Sequence, residues 1–295
     1  MALRRFKLGK RELDFDERSF IMGVLNVTPD SFFDSGRYFS VDRAVERALA
    51  MVEEGADIID VGGESTRPKG SAYGEGAMEV PTDEELRRVL PVVERLVRAT
   101  DVPISVDTYK SDVAREVLKA GASIINDISG FRFDPGMPEA VGEAGGTAVI
   151  MHTSGRPNVM QQRTEYQDLF GEIRTYLQDG VSLGSKAGVR QFLLDPGIGF
   201  GKTAADNFRL IAGLSNFENI GYPILVGVSR KSFIGKALDL PVESRLEGSL
   251  AALTGAILNG AAIVRVHDVK ESRRAAVVAD ALRRANSQVG QQSRS

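Results

Sequence analysis

Three carboxylate and amide side chains each follow a short apolar run of the sequence. Asp107 ends VPISVD, Asn126 follows GASII, and Asp195 ends VRQFLLD. A carboxylate among apolar neighbours can accept two parallel N–H bonds, and an amide can complement the remaining edge of a ring. The three residues therefore indicate a site for a flat heterocycle with several N–H donors. An aspartate that follows a strand can also simply cap the next helix, and that alternative stays open for each one.

A second group of residues in the same kind of position carries positive charge or can acquire it. Its members are Arg67, Lys231, Arg265 and His267. Guanidinium and ammonium groups bind phosphate through charge-assisted hydrogen bonds, so this group predicts a phosphate or pyrophosphate site. Such an oxygen-rich site favours Mg²⁺ over zinc. His152 and His267 are also compatible with histidines that serve only the structure.

The stretch LLDPGIGFGKT, residues 193–203, ends like a phosphate-binding P-loop. The P-loop pattern G-x-x-x-x-G-K-[ST] requires a glycine at the position where this sequence has Pro196, and proline has no N–H to offer a phosphate. We therefore expect an apolar strand that delivers Asp195 to its carboxyl end, followed by a turn through the glycines. A plain Asp-Pro-Gly turn without a binding role is the other interpretation.

The elements that carry these residues follow one repeating form. A short β-branched apolar run, in most cases preceded by Gly, ends in a polar residue, and eight segments have this form: 20–30, 55–65, 102–108, 121–130, 145–152, 188–197, 221–230 and 260–268. Continuous apolar runs are typical of parallel strands buried on both faces. Amphipathic helical patterns lie between them, including one over 82–99 in which Thr82 and Glu85 form a capping box.

Eight alternations of strand and helix predict a (β/α)8 TIM barrel, with a doubly wound open sheet as the alternative. The first residues, FKLGKRELDF, predict a short N-terminal β-hairpin that turns at Gly9–Lys10 and closes the lower end of the barrel. We expect a single barrel domain over 1–285 and a disordered polar tail over 286–295. In such a barrel the polar residues at the strand ends surround one opening, where active sites form.

Composition excludes several classes of protein. The chain has 295 residues, of which 42% are hydrophobic and 26% charged, as in ordinary globular proteins. A net charge of −3 gives no support for a nucleic-acid or membrane-surface partner. The absence of Cys excludes thiol catalysis, zinc–thiolate sites and disulfides. Because the sequence has neither an apolar run of membrane-spanning length nor a signal peptide, we expect a cytoplasmic protein.

Seven stretches together resemble the dihydropteroate synthase family. They are MGVLNVTPDSF (22–32), GADIIDVGGESTRP (55–68), SVDT (105–108), INDISG (125–130), DPGIGFGK (195–202), VGVSRKSFIG (226–235) and RVHDV (265–269). The resemblance extends over nearly the whole chain and implies a (β/α)8 barrel. It also implies a transferase of folate biosynthesis, which condenses 6-hydroxymethyl-7,8-dihydropterin pyrophosphate with 4-aminobenzoate to give 7,8-dihydropteroate and pyrophosphate.

The resemblance also implies a role for individual residues. Pterin binding falls to Asp107, Asn126, Ile128, Met151, Asp195, Phe200, Gly227 and Lys231. Pyrophosphate binding falls to Asn26, Arg265 and His267, and Asn26 would also bind the Mg²⁺ ion. Aminobenzoate binding falls to Phe32, Thr66, Arg67, Pro68 and Ser232. The catalytic group comprises Asp107, Lys231, Arg67 and Asp34, with Asp107 stabilising positive charge as pyrophosphate leaves.

Two other functions fit part of this pattern. A methyltetrahydrofolate-binding domain of a cobalamin-dependent methyltransferase would share the barrel and the pterin pocket but would have no reason to keep SRKS and RVHD. A non-catalytic pterin-binding paralogue would keep Asp107, Asn126 and Asp195 and lose loop or phosphate residues. We also expect a homodimer, for which SLAALTGAIL (249–258) is a candidate interface helix. The segment 68–81 is longer than is usual in the family.

Overall fold

A closed barrel of parallel strands forms the centre of the molecule. The computed structural model describes residues 4–28, 41–64 and 79–292. An antiparallel hairpin comes first, with β1 at Arg5–Leu8 and β2 at Arg11–Asp14. The barrel strands are β3 (Phe20–Asn26), β4 (Ile58–Gly62), β5 (Ile104–Asp107), β6 (Ile124–Asp127), β7 (Thr147–Met151), β8 (Gln191–Asp195), β9 (Ile224–Gly227) and β10 (Ala261–Val266).

Helices follow the strands and cover the outside of the barrel. They are α1 (Val41–Glu54), α2 (Thr82–Ala99), α3 (Ser111–Lys119), α4 (Met137–Glu143), α5 (Leu169–Lys186), α6 (Ala204–Ala212), α7 (Ser232–Leu238), α8 (Leu246–Leu258) and α9 (Val269–Gln292). Three short 3₁₀ turns lie at Met160–Gln162, Leu214–Ile220 and Val242–Ser244. The predicted (β/α)8 fold is confirmed, and the open-sheet alternative is wrong because β10 pairs with β3.

The glycine that precedes a strand has a geometric reason. Gly121 and Gly260 both have φ of 108°, in the region that residues with a Cβ rarely adopt. A Cβ on Gly121 would also lie 2.8 Å from Cγ1 of Val97. Glycine at this position lets the chain leave a helix and enter the next strand within a few residues.

Successive residues of each strand contribute to two different cores. On β4, Ile59 and Val61 face outward and belong to the core beneath the helices. Ile58 faces inward and belongs to a second core with Phe6 and Phe15 of the hairpin. The hairpin therefore closes the amino-terminal end of the barrel, as the sequence predicted. The polar residues at the other end of the strands surround an opening.

The predicted capping box at the start of α2 is wrong. Thr82 is already the first residue of the helix, the N-cap position is Pro81, and no side chain caps the helix. Glu85 instead accepts a hydrogen bond from the ammonium of Lys110, which belongs to the loop before α3. A buried ion pair with a residue distant in sequence thus takes precedence over a local capping bond.

The end of the chain also differs from the sequence-based expectation. Helix α9 continues to Gln292, so residues 286–292 are helical where a disordered polar tail was predicted. The segment NSQVGQQ contains no proline, and its glutamines extend an existing helix at little cost. Within the described ranges, none of the helices combines the length and hydropathy that spanning a bilayer demands.

Candidate active site

The carboxyl ends of the strands bring the predicted ring-binding residues into one layer. Register places Asp107 beside Asn126 on β5 and β6, and Met151 beside Asp195 on β7 and β8. On the other side of the barrel, Arg265 of β10 pairs with Gly227 of β9. Because side chains alternate between the two faces of a strand, register-matched neighbours point to the same side.

These residues line a pocket at the opening of the barrel. Its wall consists of Asp107, Asn126, Ile128, Met151, Asp195, Ile198, Phe200, Gly227, Lys231 and Arg265. All of the residues predicted to bind a pterin belong to this set, and Ile198 and Arg265 complete it. Acceptor side chains, two cations and an apolar wall therefore share one cavity, the combination expected of a site for a polar heterocycle.

Asp195 ends β8 inside this pocket and is held by the turn that follows it. The backbone N–H of Gly197 donates to Asp195 Oδ1 at 2.7 Å. Gly197 has φ of 71°, and a Cβ there would lie 1.8 Å from the carbonyl oxygen of His152. Burial raises the pKa of Asp195, opposed by the bond from Gly197 and by Lys231. The DPG stretch thus fixes a buried carboxylate rather than cradling a phosphate.

Lys231 projects a second charged group into the pocket. Its ammonium donates to the carbonyl oxygen of Ile198 at 3.0 Å and lies 4.3 Å from the ring centre of Phe200. Burial lowers the pKa of Lys231 to about 8, with Asp195 opposing the shift. Lys231 is therefore a hydrogen-bond donor whose charge responds to pH near neutrality.

Arg265 joins two carboxylates across the pocket floor. Its Nε donates to Asp60 Oδ2 at 2.6 Å, and its Nη2 donates to Asp107 Oδ2 at 2.7 Å. Burial alone would lower the pKa of Arg265, but Asp60 and Asp107 outweigh it and the net shift is upward. Burial raises the pKa of Asp107 to about 7, opposed by Arg265 and reinforced by Asp60. The guanidinium of Arg265 therefore stays charged, while the carboxyl group of Asp107 can gain or lose a proton near neutral pH.

The other predicted residues divide into two groups. Asn26 ends β3, Ser232 begins α7, and His267 follows β10, so all three stand at the same end of the barrel. Nδ1 of His267 lies 3.1 Å from Oγ of Ser229. The remaining five predicted residues lie outside the described ranges: Phe32, Asp34, Thr66, Arg67 and Pro68.

A buried ammonium behind Asp195 was missed in the sequence. Lys202 donates to the carbonyl oxygens of Gly197 and Phe200 and contacts Nδ1 of His152, each at 2.9 Å. Burial lowers the pKa of Lys202 to about 7 and that of His152 to about 2. His152 is therefore neutral and serves the structure, the alternative that the sequence left open. The FGK motif that resembles a P-loop supplies a cation that fixes the turn.

A polar cluster at the base of the second strand-to-helix loop was also missed. Lys110 bridges the carboxylates of Glu64 and Glu85, and the hydroxyl of Tyr109 donates to Glu64 Oε1 at 2.7 Å. Burial raises the pKa of Glu85, opposed by Lys110. Nothing local in the sequence marks this cluster, because Glu85 is far from Lys110 along the chain.

Comparison with known proteins places this barrel among the pterin-binding enzymes. A match to the family described as "Pterin binding enzyme" spans residues 22–267. Dihydropteroate synthase of Bacillus subtilis is 47% identical over 272 residues, which cover 92% of this chain and 90% of that protein. The structure of Yersinia pestis dihydropteroate synthase with a sulfonamide drug complex superposes with a TM-score of 0.87 at 43% identity, covering 95% of this chain and 99% of that one.

A second structure agrees with the first. Xanthomonas albilineans dihydropteroate synthase in complex with 7,8-dihydropteroate has a TM-score of 0.82 at 40% identity, covering 94% of this chain and 98% of that one. The chain therefore belongs to the dihydropteroate synthase family. The family predicted from the seven motifs is confirmed.

Proposed function

We propose that this chain condenses 6-hydroxymethyl-7,8-dihydropterin pyrophosphate with 4-aminobenzoate, giving 7,8-dihydropteroate and pyrophosphate. It is a transferase of folate biosynthesis, the activity for which its relatives are named. The observation that carries the proposal is the pocket itself, where Asp107, Asn126 and Asp195 are buried beside the cations Lys231 and Arg265.

The acceptor side chains suit the donor edge of a pterin. Asp195 accepts from the 2-amino and N3 hydrogens of the ring, because a buried carboxylate pairs with two parallel N–H groups. Asn126 bonds the other edge, and Lys231 donates to O4 and N5. Ile128, Met151 and Phe200 supply the apolar faces between which a flat ring fits.

The reaction places positive charge beside Asp107. The pterin releases electron density toward its methylene carbon while the bond from that carbon to the pyrophosphate oxygen breaks. The carboxylate of Asp107 stabilises the cationic pterin, an electrostatic effect that is strong at a site shielded from water. Pyrophosphate leaves toward Arg265 and His267, and the aminobenzoate nitrogen then forms the new bond to the methylene carbon and gives up one proton to the released pyrophosphate.

Asn26 fits a magnesium ion that arrives with the pyrophosphate. Mg²⁺ keeps several waters and takes few protein oxygens beside substrate phosphates. The described ranges contain no group of three His, Cys, Asp or Glu residues suited to a metal. Asn26 ends β3 at the open end of the barrel, and its amide oxygen is a ligand of the kind that such an ion takes. When bound, the ion neutralises charge on the leaving group.

The aminobenzoate subsite belongs to the loops after β3 and β4 together with the start of α7. Phe32, Thr66, Arg67 and Pro68 contribute from the loops, and Ser232 contributes from α7. Arg67 binds the carboxylate of aminobenzoate or assists catalysis, and Asp34 contributes to metal binding or loop closure. Exclusion of water by these loops protects the cationic pterin from hydrolysis.

The enzyme works as a cytoplasmic homodimer. Helix α8 is apolar over most of its length and packs against α9. Leu258 on α8 and Val278 and Leu282 on α9 are exposed at 38%, 60% and 47%. A second copy of this surface would cover these side chains. Light scattering should give the mass of a dimer for the wild type and of a monomer for Val278→Glu.

Product formation tests the proposed reaction. Purified protein is mixed with the dihydropterin pyrophosphate, 4-aminobenzoate and Mg²⁺, and dihydropteroate is followed by chromatography with and without a chelator. We expect product that depends on the metal. A protein that binds pterin but makes no product would instead be the non-catalytic paralogue. A methyltetrahydrofolate-binding domain would show no preference for the pyrophosphate ester over free pterin.

A further inference from the structure

Asp60 is a fully buried carboxylate in the middle of β4, below the opening of the barrel. Its residue exposure is 0%. It stands between Ile58 and Gly62 on the inward face of the strand, and register places it beside Ser105 of β5. One layer higher, Gly62 is beside Asp107. Asp60 therefore lies directly beneath the layer that contains the pocket.

Two pocket residues depend on the same oxygen of Asp60. Oδ2 accepts from Nε of Arg265 at 2.6 Å and from Nδ2 of Asn126 at 3.1 Å. Among the described residues, Oδ1 has no hydrogen-bond partner. Arg265 continues to Asp107 through Nη2. A chain of contacts thus runs from Asn126 through Asp60 and Arg265 to Asp107.

The contact with Asp60 decides which atom of Asn126 is available to a ligand. An ionised carboxylate can only accept hydrogen bonds, so the amide of Asn126 must turn its nitrogen toward Asp60. The carbonyl oxygen of Asn126 then points away from Asp60, and Asn126 is part of the pocket wall. With Asp107 and Asp195, the pocket presents three acceptors to its ligand.

Stability alone does not account for this arrangement. A buried ion pair is weak evidence for stability, because desolvation of both charges offsets their attraction. A carboxylate oxygen without a partner adds to that cost. Burial with one oxygen unpaired is therefore more consistent with a role in the binding of the ligand.

We propose that Asp60 is a positioning residue, which fixes the guanidinium of Arg265 and turns Asn126 so that the pocket offers its carbonyl oxygen to N–H donors of the substrate ring. The proposal rests on the proposed binding of a pterin pyrophosphate. Asp60 touches neither substrate nor reacting atoms; it acts through Asn126 and Arg265.

Asp57 provides a matched control in the same part of the chain. It is also a buried aspartate paired with an arginine, accepting from Nη1 and Nη2 of Arg18 at 2.9 and 2.7 Å. It lies at the closed end of the barrel, where it also accepts from the backbone N–H of Ile21 at 2.9 Å. Asp57→Asn and Asp60→Asn therefore remove the same charge at two nearby positions, one just before β4 at the closed end of the barrel and one in the middle of β4 beneath the pocket.

The test compares both variants with the wild type in three measurements. Calorimetry gives the Kd of 6-hydroxymethylpterin, steady-state kinetics give KM for each substrate, and thermal unfolding gives Tm. In Asp60→Asn we expect the Kd and the KM for the pterin pyrophosphate to rise about tenfold or more, the scale of one lost hydrogen bond to a charged group. The KM for aminobenzoate should stay unchanged. Asp57→Asn should lower Tm and leave every Kd and KM as in the wild type.

Asp60→Leu, an apolar replacement of similar size, takes the place of Asp60→Asn should the latter not fold. Unchanged pterin affinity in the folded Asp60 variant would overturn the proposal while the proposed function stands. Equal losses for both substrates, or equal effects in the Asp57 and Asp60 variants, would reduce Asp60 to a structural residue and overturn it as well. A wild type that neither binds pterin nor forms product would overturn the proposed function and this inference together.

Discussion

The two ends of the barrel each bury an aspartate–arginine pair, and the pairs differ in how completely they are satisfied. At the closed end, both oxygens of Asp57 accept hydrogen bonds, from Arg18 and from Ile21. At the open end, Asp60 uses one oxygen for Arg265 and Asn126 and leaves the other without a partner among the described residues. Complete pairing is typical of a structural role, whereas an incompletely paired buried carboxylate beneath a pocket indicates a functional role.

Packing follows the same division. The closed end is filled by rings: Phe15 packs edge-on against Phe6 and Phe20, with centroids 5.2 and 5.3 Å apart. The open end has carboxylates and amines whose pKa values burial shifts toward neutrality, as for Asp107 and Lys231. One end of the barrel therefore contributes stability, and the other holds charged groups that a ligand must neutralise.

The largest effect on binding is expected for Asp195→Ala at the open end. The pterin would lose two hydrogen bonds to a charged group, which together contribute roughly 3–6 kcal/mol. Calorimetry with 6-hydroxymethylpterin should detect no binding, while thermal unfolding stays close to that of the wild type because a buried carboxylate is removed. Unchanged pterin affinity would remove Asp195 from the binding site.

A substitution at the closed end should lower stability and leave substrate binding unchanged. Phe15→Ala creates a cavity among the rings and should lower the free energy of unfolding by roughly 3–5 kcal/mol. Both KM values should remain those of the wild type under conditions where the variant is folded. Urea titration measures the first quantity and steady-state kinetics the second; a changed KM with unchanged stability would contradict the division between the two ends.

Arg265→Ala should distinguish the contribution of the pyrophosphate group to binding from that of the pterin ring. The variant should lose affinity for the pyrophosphate ester by about 2 kcal/mol more than for free pterin, the scale of one hydrogen bond between charged groups. Calorimetry with both ligands gives the difference directly. Arg18→Ala at the closed end is the control and should change neither affinity. Equal losses for the two ligands would show that Arg265 does not contact the pyrophosphate.

The smallest effect concerns pH. Because burial lowers the pKa of Lys231 to about 8, its ammonium loses its proton above that pH, and kcat/KM for the pterin substrate should fall there. Below the pKa the charged donor is present and this limb of the profile is flat. In Lys231→Arg the side chain keeps its charge, so the alkaline limb of the profile should shift to higher pH. If the alkaline limb keeps its position in the variant, the titrating group is not Lys231.

The fold could be predicted from the sequence because each strand is an apolar run that ends in a polar residue. The buried parallel strands are continuous apolar runs, and the turn into each one needs glycine, as at Gly121 and Gly260. The strand ends then place Asp107, Asn126 and Asp195 together without further information. For this reason the predicted ring-binding residues all line one pocket.

Contacts between distant residues could not be predicted in this way. Asp60 stands inside the apolar run IIDVGG, where its partner Arg265 is 205 residues away along the chain. The signal was present, since a lone carboxylate in a buried strand requires a cation, but the sequence does not say which one. The same reason explains the capping box: Glu85 binds Lys110, and only the packing of α2 beside α3 brings them together.

Closure of the lower end by the hairpin has a consequence for the synthesis of the chain. Phe6 and Phe15 emerge from the ribosome roughly 200 residues or more before Leu225 and Ile263, which belong to the same core. Ser19 likewise pairs with a residue far along the chain. Its backbone N–H and its hydroxyl both donate to the carboxylate of Asp280 at 3.0 Å. Contacts of such long range form slowly. The nascent chain must therefore carry an exposed aromatic hairpin through most of translation, which makes this segment a natural target for chaperones.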